Sequence, residues 1–265
     1  MKSTMLLLLV ALVFASCVKE QKTPNFQMPQ RIVDLSPTVT EDLPVRMVGH
    51  KLLSNLGVRD RNKFEHIEGS EPMYYLDSYI TLFNHAGPHV DAPIHLIENG
   101  SSVDKYDLER FIGYAKIMDF SNRTSEEAIT VKDIQKYDIR AGDIAIAYVG
   151  YIPPVNPEEL PTHSVLSREA AEYLARLPVK AFATDSPGVD NVGSLTRMLE
   201  EGITGVENLL PVHYAFLSRR IPIIETLVNL NVIAGEKKVV FVGFPLKTSG
   251  KAGDAGPMRA VALIY

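Results

Sequence analysis

Short runs of apolar and β-branched residues recur along this chain: Arg31 to Leu35, Tyr79 to Phe83, Ala115 to Phe120, Asp143 to Val149, Val179 to Thr184, Lys238 to Phe244 and Arg259 to Tyr265. Runs of this length suit strands, because branched side chains lose little freedom on a pleated, half-buried surface. Helix signals lie between them. Thr130 precedes Val-Lys-Asp-Ile-Gln-Lys-Tyr, and Ser167 precedes a stretch from Arg168 to Leu177 that Pro178 ends. Each hydroxyl can accept from the free N–H groups of a first helical turn. Strands interleaved with helices predict an α/β fold with a mixed β-sheet and flanking helices, although periodicity does not set the strand order. No internal repeat is visible, and no Pro/Gly/Ser-rich linker or charge block divides the chain, so one domain is expected over residues 31–265.

The first residues read as an export signal. Lys2 is followed by an apolar run from Met5 to Phe14, then Ala15, Ser16 and Cys17. The run is too short to cross a hydrocarbon core of about 30 Å, so residues 1–16 are expected to be a signal peptide and not a membrane-spanning helix. Ala15-Ser16-Cys17 also resembles a bacterial lipobox, which implies a lipid on Cys17, a polar tether over residues 17–30 and a place in the cell envelope. Cys17 is the only cysteine, so it forms no internal disulfide. An ordinary signal peptide cleaved nearby is the alternative.

A net charge of -5, with Lys and Arg scattered along the chain, supplies no basic stripe to neutralise phosphates. Nucleic acid is therefore not an expected partner.

The chemistry concentrates in His85-Ala-Gly-Pro-His89-Val-Asp91-Ala-Pro93-Ile-His95, which holds three of the seven histidines. Gly87, Pro88 and Pro93 forbid a regular helix there. In an extended chain His89, Asp91 and His95 share parity, and the Gly-Pro turn can bend His85 back toward them. Imidazole nitrogen and carboxylate oxygen are ligands for Zn²⁺, Mn²⁺ and Fe²⁺, and one carboxylate can bridge two ions. A single His or Asp beside a proline turn usually makes only turn hydrogen bonds. Four together are costly to bury without a metal or partners.

The pattern HxGPHxDxPxH resembles the HxGTHxDxPxH motif of the cyclase family, which includes bacterial kynurenine formamidases and isatin hydrolases. The resemblance continues through Asp34-Leu35-Ser36, Thr184-Asp185-Ser186, His213, the segment Ile221 to Leu230 around Glu225, and Gly253 to Ala262. It implies a swivelling β/β/α-like fold and a homo-oligomer, at least a dimer. It implies one or two divalent ions per chain, Zn²⁺ or Mn²⁺, with His85, His89 and Asp91 on the first, Asp91 bridging, and His213 with Glu225 completing the second. His95 would be the catalytic acid/base. The implied activity is hydrolysis of an aryl formamide, a lactam or a related cyclic amide or ester, with a small molecule as substrate.

Two residues depart from the family pattern: Pro88 stands for the usual Thr, and Pro37 for the His that often follows Asp-Leu-Ser. Pro88 removes a hydroxyl and an N–H beside the ligands, so the hydrogen bonds that orient them must differ. Pro37 reshapes the expected pocket. From residue chemistry alone, His213 and Glu225 read equally well as a satisfied core histidine and a paired buried acid, and the resemblance favours ligation. Phe83, Tyr74 and Tyr75 could stack on a flat substrate, with core packing as the equal alternative. His50 and His163 could line a pocket, whereas His66 reads as a solvated surface residue. A non-catalytic envelope lipoprotein that binds a metal or a small molecule is the competing function.

Overall fold

The computed structural model describes residues 27–38, 44–45, 53–54, 56–60, 78–125, 127–153, 163–191 and 198–265. The expected signal peptide, the lipid site at Cys17, His50, His66, Tyr74 and Tyr75 lie outside them.

The strands are β1 (Arg31–Asp34), β2 (Pro44–Val45), β3 (Leu53–Ser54), β4 (Leu56–Asp60), β5 (Ser78–Leu82), β6 (His89–Asp91), β7 (Ile112–Asp119), β8 (Ile144–Tyr148), β9 (Ala181–Thr184), β10 (Ile223–Glu225), β11 (Val239–Pro245) and β12 (Ala255–Ile264). Helices α1 (Val131–Ile134), α2 (Arg168–Arg176), α3 (Val206–Leu209), α4 (Pro211–Leu217) and α5 (Leu230–Ile233) connect them, with short 3-10 turns. Every run read as a strand overlaps one, and both capped stretches contain helix. Ser167 accepts from Ala170 N at 3.1 Å to start α2. Asp133 accepts from the backbone N–H of Thr130 at 3.0 Å and from its hydroxyl at 2.7 Å to close the capping box of α1.

Eight strands form one mixed sheet in the order β1-β12-β11-β7-β8-β9-β10-β6. Strand β6 also pairs with the first residues of β12, so the sheet closes into a barrel and β1 lies beside it on β12. β7, β8, β9 and β10 run parallel; the other pairings in the barrel are antiparallel. The α/β expectation is met, and barrel closure adds to it.

Two apolar cores use the two faces of the parallel strands. Ile144 and Ile146 of β8 join Val90, Ala183, Ile224 and Phe241 inside the barrel. Ala145 and Ala147 face outward onto a layer built from Ala170, Ala171 and Leu174 of α2 and Val212, Ala215 and Phe216 of α4. Each buried branched side chain contributes roughly 1.5–3 kcal/mol. A one-residue slip would send the interior set outward, so the register is firmly set. Among the described residues no helix is long and apolar enough to cross a membrane.

Candidate metal centre

The His85–His95 window is a turn, the short strand β6 and a 3-10 turn over Pro93–His95. Gly87 adopts φ +60°, a left-handed conformation that glycine takes without a Cβ penalty. His89 Nδ1 donates to Gly87 O at 2.8 Å. A carbonyl only accepts, so Nδ1 keeps its proton and Nε2 is the nitrogen left to ligate an ion in place of its own proton. With Pro88 in place of a hydroxyl-bearing residue, the neighbouring backbone carbonyl orients this ring.

Strand parity then assembles the rest. Across the antiparallel β6–β10 pair, Glu225 faces His89 and Ile223 faces Asp91, and residues directly opposite share a face. Val90 and Ile224 fill the barrel interior, so His89, Asp91 and Glu225 are left on the outer face. Ile223 shares that side, packed in the same outer core as Val212 and Phe216 of α4. Helix α4 brings His213 to the cluster, and all four polar residues are buried.

Asp91 is the hub. Its Oδ1 lies 3.1 Å from His85 Nδ1 and 3.3 Å from His89 Nε2, and its Oδ2 lies 3.6 Å from His213 Nε2. Glu225 places Oε2 3.5 Å from His89 Nε2 and Oε1 3.6 Å from His213 Nε2. Despite these approaches, both Asp91 oxygens and His89 Nε2 are buried without a hydrogen-bond partner among the described residues. Close approach without hydrogen bonding is what groups aimed at a common point produce, and orphaned buried polar atoms are costly until something satisfies them. Two sets of ligand atoms, His89–Asp91–Glu225 and His85–Asp91–His95, each lie within 4.8 Å of one another. The donors and their convergence fit a divalent ion, or two that share Asp91.

Burial opposes charge throughout the cluster. On His89 it is outweighed by the Asp91 carboxylate, with Glu225 adding, and the imidazole is pushed up to about 10. His213 is raised well above its ordinary value against its burial, by Asp190 and Asp91, and His85 is raised by Asp91 and Asp254. Asp91 is held far below the usual carboxylate range in spite of its burial, first by His89 and then by His213 and His85. His95 moves the other way, lowered by burial. Protons on the imidazoles and a divalent cation are alternative ways of neutralising the same carboxylates.

All five expected ligands are thus brought together, and His95 stands at their edge. Its ring is centred 4.5 Å from that of His85 and 5.8 Å from that of His213, and it belongs to one of the two convergent sets. Phe83 borders the same side, its ring centre 5.5 Å from that of His85. His163 lies behind the cluster: its Nε2 donates to Gly188 O at 2.8 Å, and the adjoining Val189 N donates to Glu225 Oε1 at 3.0 Å. Pro37 and Pro88 line one cavity of about 280 Å³ with Leu82, Ala86 and Met258.

Three residues without an assigned role in the sequence reading also belong here. Asp254 Oδ2 lies 3.1 Å from His85 Nε2 and 3.8 Å from His95 Nδ1. Asn84 donates to Asp254 Oδ1 at 2.5 Å. Asp190 accepts from His213 Nδ1 at 2.7 Å. No spacing signal marks Asp254 or Asp190, since each meets its histidine from a distant part of the sequence. Asn84 adjoins the motif, the one local hint.

The putative cyclase family model matches residues 33–191, more than half of the chain, and the protein belongs to that family. It is similar to the kynurenine formamidase of Salinibacter ruber (strain DSM 13855 / M31), with 30% identity over 184 residues, which is 69% of this chain and 77% of that protein. The kynurenine formamidase of Geobacillus thermodenitrificans (strain NG80-2) is 28% identical over 183 residues, 68% of this chain and 77% of its own length. Among solved structures, isatin hydrolase A from Ralstonia solanacearum has the same fold, with a TM-score of 0.67 at 20% identity over 89% of this chain and 92% of that one.

Proposed function

We propose that this protein is a metal-dependent hydrolase that cleaves an amide-like bond in a small molecule, the C–N bond of an aryl formamide or lactam or the corresponding bond of a related cyclic amide or ester. The observation that carries the reading is the convergence of His85, His89, Asp91, His213 and Glu225 on a point where three buried polar atoms lack hydrogen-bond partners among the described residues. Kinship with kynurenine formamidases supports the bond type.

A divalent ion held by these five residues, Zn²⁺ or Mn²⁺, one or two per chain, would acidify water and polarise a carbonyl. The residues of the chain do the rest. Asp91 and Glu225 bring the carboxylate charge that a cation requires. His95, beside the cluster on its more open side, takes the proton from the attacking water and returns it to the leaving nitrogen as the C–N bond breaks. Phe83 offers a ring face to a flat substrate.

Several further features belong to the same reading. The family implies the swivelling β/β/α arrangement and a homo-oligomer, which size-exclusion chromatography with light scattering tests. The N-terminal sequence supports a signal peptide over residues 1–16, a tether to residue 30, a hydrolase domain over 31–265 and a lipid on Cys17, with residence in the bacterial envelope. Cys17→Ser should move the protein from the membrane to the soluble fraction. No observation favours the non-catalytic lipoprotein.

The deciding experiment is elemental analysis of the purified protein joined to a hydrolysis panel of aryl formamides, lactams and lactones, with and without chelator. Chelator-sensitive turnover and bound metal are expected. Tight metal uptake with no hydrolysis across the panel would overturn the assignment.

A further inference from the structure

Asp190 is buried and lies between the Thr184-Asp185-Ser186 segment and the helices that follow. It receives three hydrogen bonds from one short stretch of α4: Oδ1 from Val212 N at 2.9 Å, and Oδ2 from His213 N at 3.0 Å and from His213 Nδ1 at 2.7 Å. The backbone bonds alone describe a remote cap, since the first N–H groups of a helix need acceptors. The bond to the ring does more. A carboxylate oxygen only accepts, so His213 Nδ1 must carry its proton there, and Nε2 is the nitrogen left to face Asp91 Oδ2 and Glu225 Oε1, each at 3.6 Å.

We propose that Asp190 is a positioning residue of the metal centre: it fixes the tautomer and the orientation of His213 and raises the basicity of its ligating nitrogen. The inference rests on the metal-dependent reading above for its functional meaning, while the Asp190–His213 bond it starts from is present in the metal-free protein. The arrangement parallels that of His89, whose Nδ1 is held by Gly87 O at 2.8 Å. The two rings are held by different acceptors. A carbonyl sets a tautomer, whereas a carboxylate sets it and also pushes electron density into the ring through a charge-assisted bond. Because Asp190 is buried, that charge is weakly screened and its influence is large.

The test compares wild type with Asp190→Asn and Asp190→Ala. Asn keeps the volume and its one carbonyl oxygen can still accept from His213, so it removes the charge together with the acceptor for Val212 N; Ala removes all three bonds. Long-range proton–nitrogen NMR on the imidazoles of Zn²⁺-loaded protein reads which His213 nitrogen keeps its proton, and competition against a chromogenic chelator reads Zn²⁺ affinity. The expected result is a single Nδ1–H tautomer for His213 in wild type and in Asp190→Asn, and mixed tautomers in Asp190→Ala. Affinity should fall about 10- to 100-fold in Asp190→Ala, with Asp190→Asn between it and wild type. A residue that only caps the helix would lower the melting temperature of the metal-free protein and leave tautomer and affinity as in wild type, and that result overturns the proposal. Should Asp190→Ala fail to fold, wild type alone still decides: a His213 that keeps its proton on Nε2 in the Zn²⁺-loaded protein is fatal to it. If wild type takes up no metal at all, the hydrolase reading fails and the proposal with it, whereas metal uptake with His213 protonated on Nε2 overturns the proposal alone.

Discussion

The two sides of Asp91 are built differently. On one side His89, Glu225 and His213 come from paired strands and a packed helix, and all are buried. On the other, His85 and His95 come from a turn and a 3-10 turn, and the side chains of His95 and Asp254 are 29% and 30% exposed. The closed side has its ring nitrogens fixed by a buried carboxylate and a carbonyl; the open side leans on Asp254, which solvent reaches. The difference divides the labour: the rigid side suits holding an ion, and the open side suits meeting a substrate and passing a proton to water.

Asp91 serves both sides, so its loss should be the most damaging. Asp91→Ala is expected to strip the metal and lower turnover about a thousandfold or more, because the electrostatic help of a metal is several kcal/mol and each 1.4 kcal/mol is tenfold. Elemental analysis and kcat/KM on the same preparation check it. If Asp91→Ala keeps a full complement of metal, the hub is misplaced.

His95→Ala tests the division itself. Loss of an acid/base group should cost about a hundred- to thousandfold in kcat with metal content unchanged. Its membership of a convergent set with His85 and Asp91 supplies the opposing outcome: metal loss equal to that of Asp91→Ala would make His95 a ligand and the open side a second ion site.

Much of this was legible in the residues, and the limit has a physical cause. The strands announced themselves where a run was long enough to show its composition, as in β8 and β11. Barrel closure depends on β6 and β10, three residues each, and on β12 changing partners from β6 to β1 along its length. Neither leaves a period to detect. The ligands in the His85–Asp91 window were readable from donor type and proline spacing, because that convergence is local. Glu225 needed the family pattern, since its place opposite His89 is a fact of strand register. Asp190 and Asp254 were silent for the same reason: a carboxylate behind a histidine is chosen by tertiary contact, and nothing in its neighbours reports it.

Phe83→Ala addresses the open side without removing a ligand. An aromatic contact is worth about 0.5–1.5 kcal/mol, so KM for an aryl substrate should rise by roughly two- to tenfold, with kcat and metal content held. A fall in kcat with unchanged KM would place the ring in support of His85 and not against substrate.

The smallest effect separates the two supporting carboxylates. Asp254→Asn removes the charge 3.1 Å from His85 Nε2, as Asp190→Asn does behind His213. Because Asp254 is partly in solvent, its field at the ring is screened, and salt screens it further. Metal affinity should therefore fall less than about tenfold in Asp254→Asn, and the deficit should shrink between low and high ionic strength. For Asp190→Asn the deficit should be larger and nearly independent of salt, since little mobile charge enters a buried site. Chelator competition across a salt series reads both. Equal deficits with the same salt slope would mean that the two sides of Asp91 share one electrostatic environment, and the exposure difference between them would then have no bearing on how the ion is held.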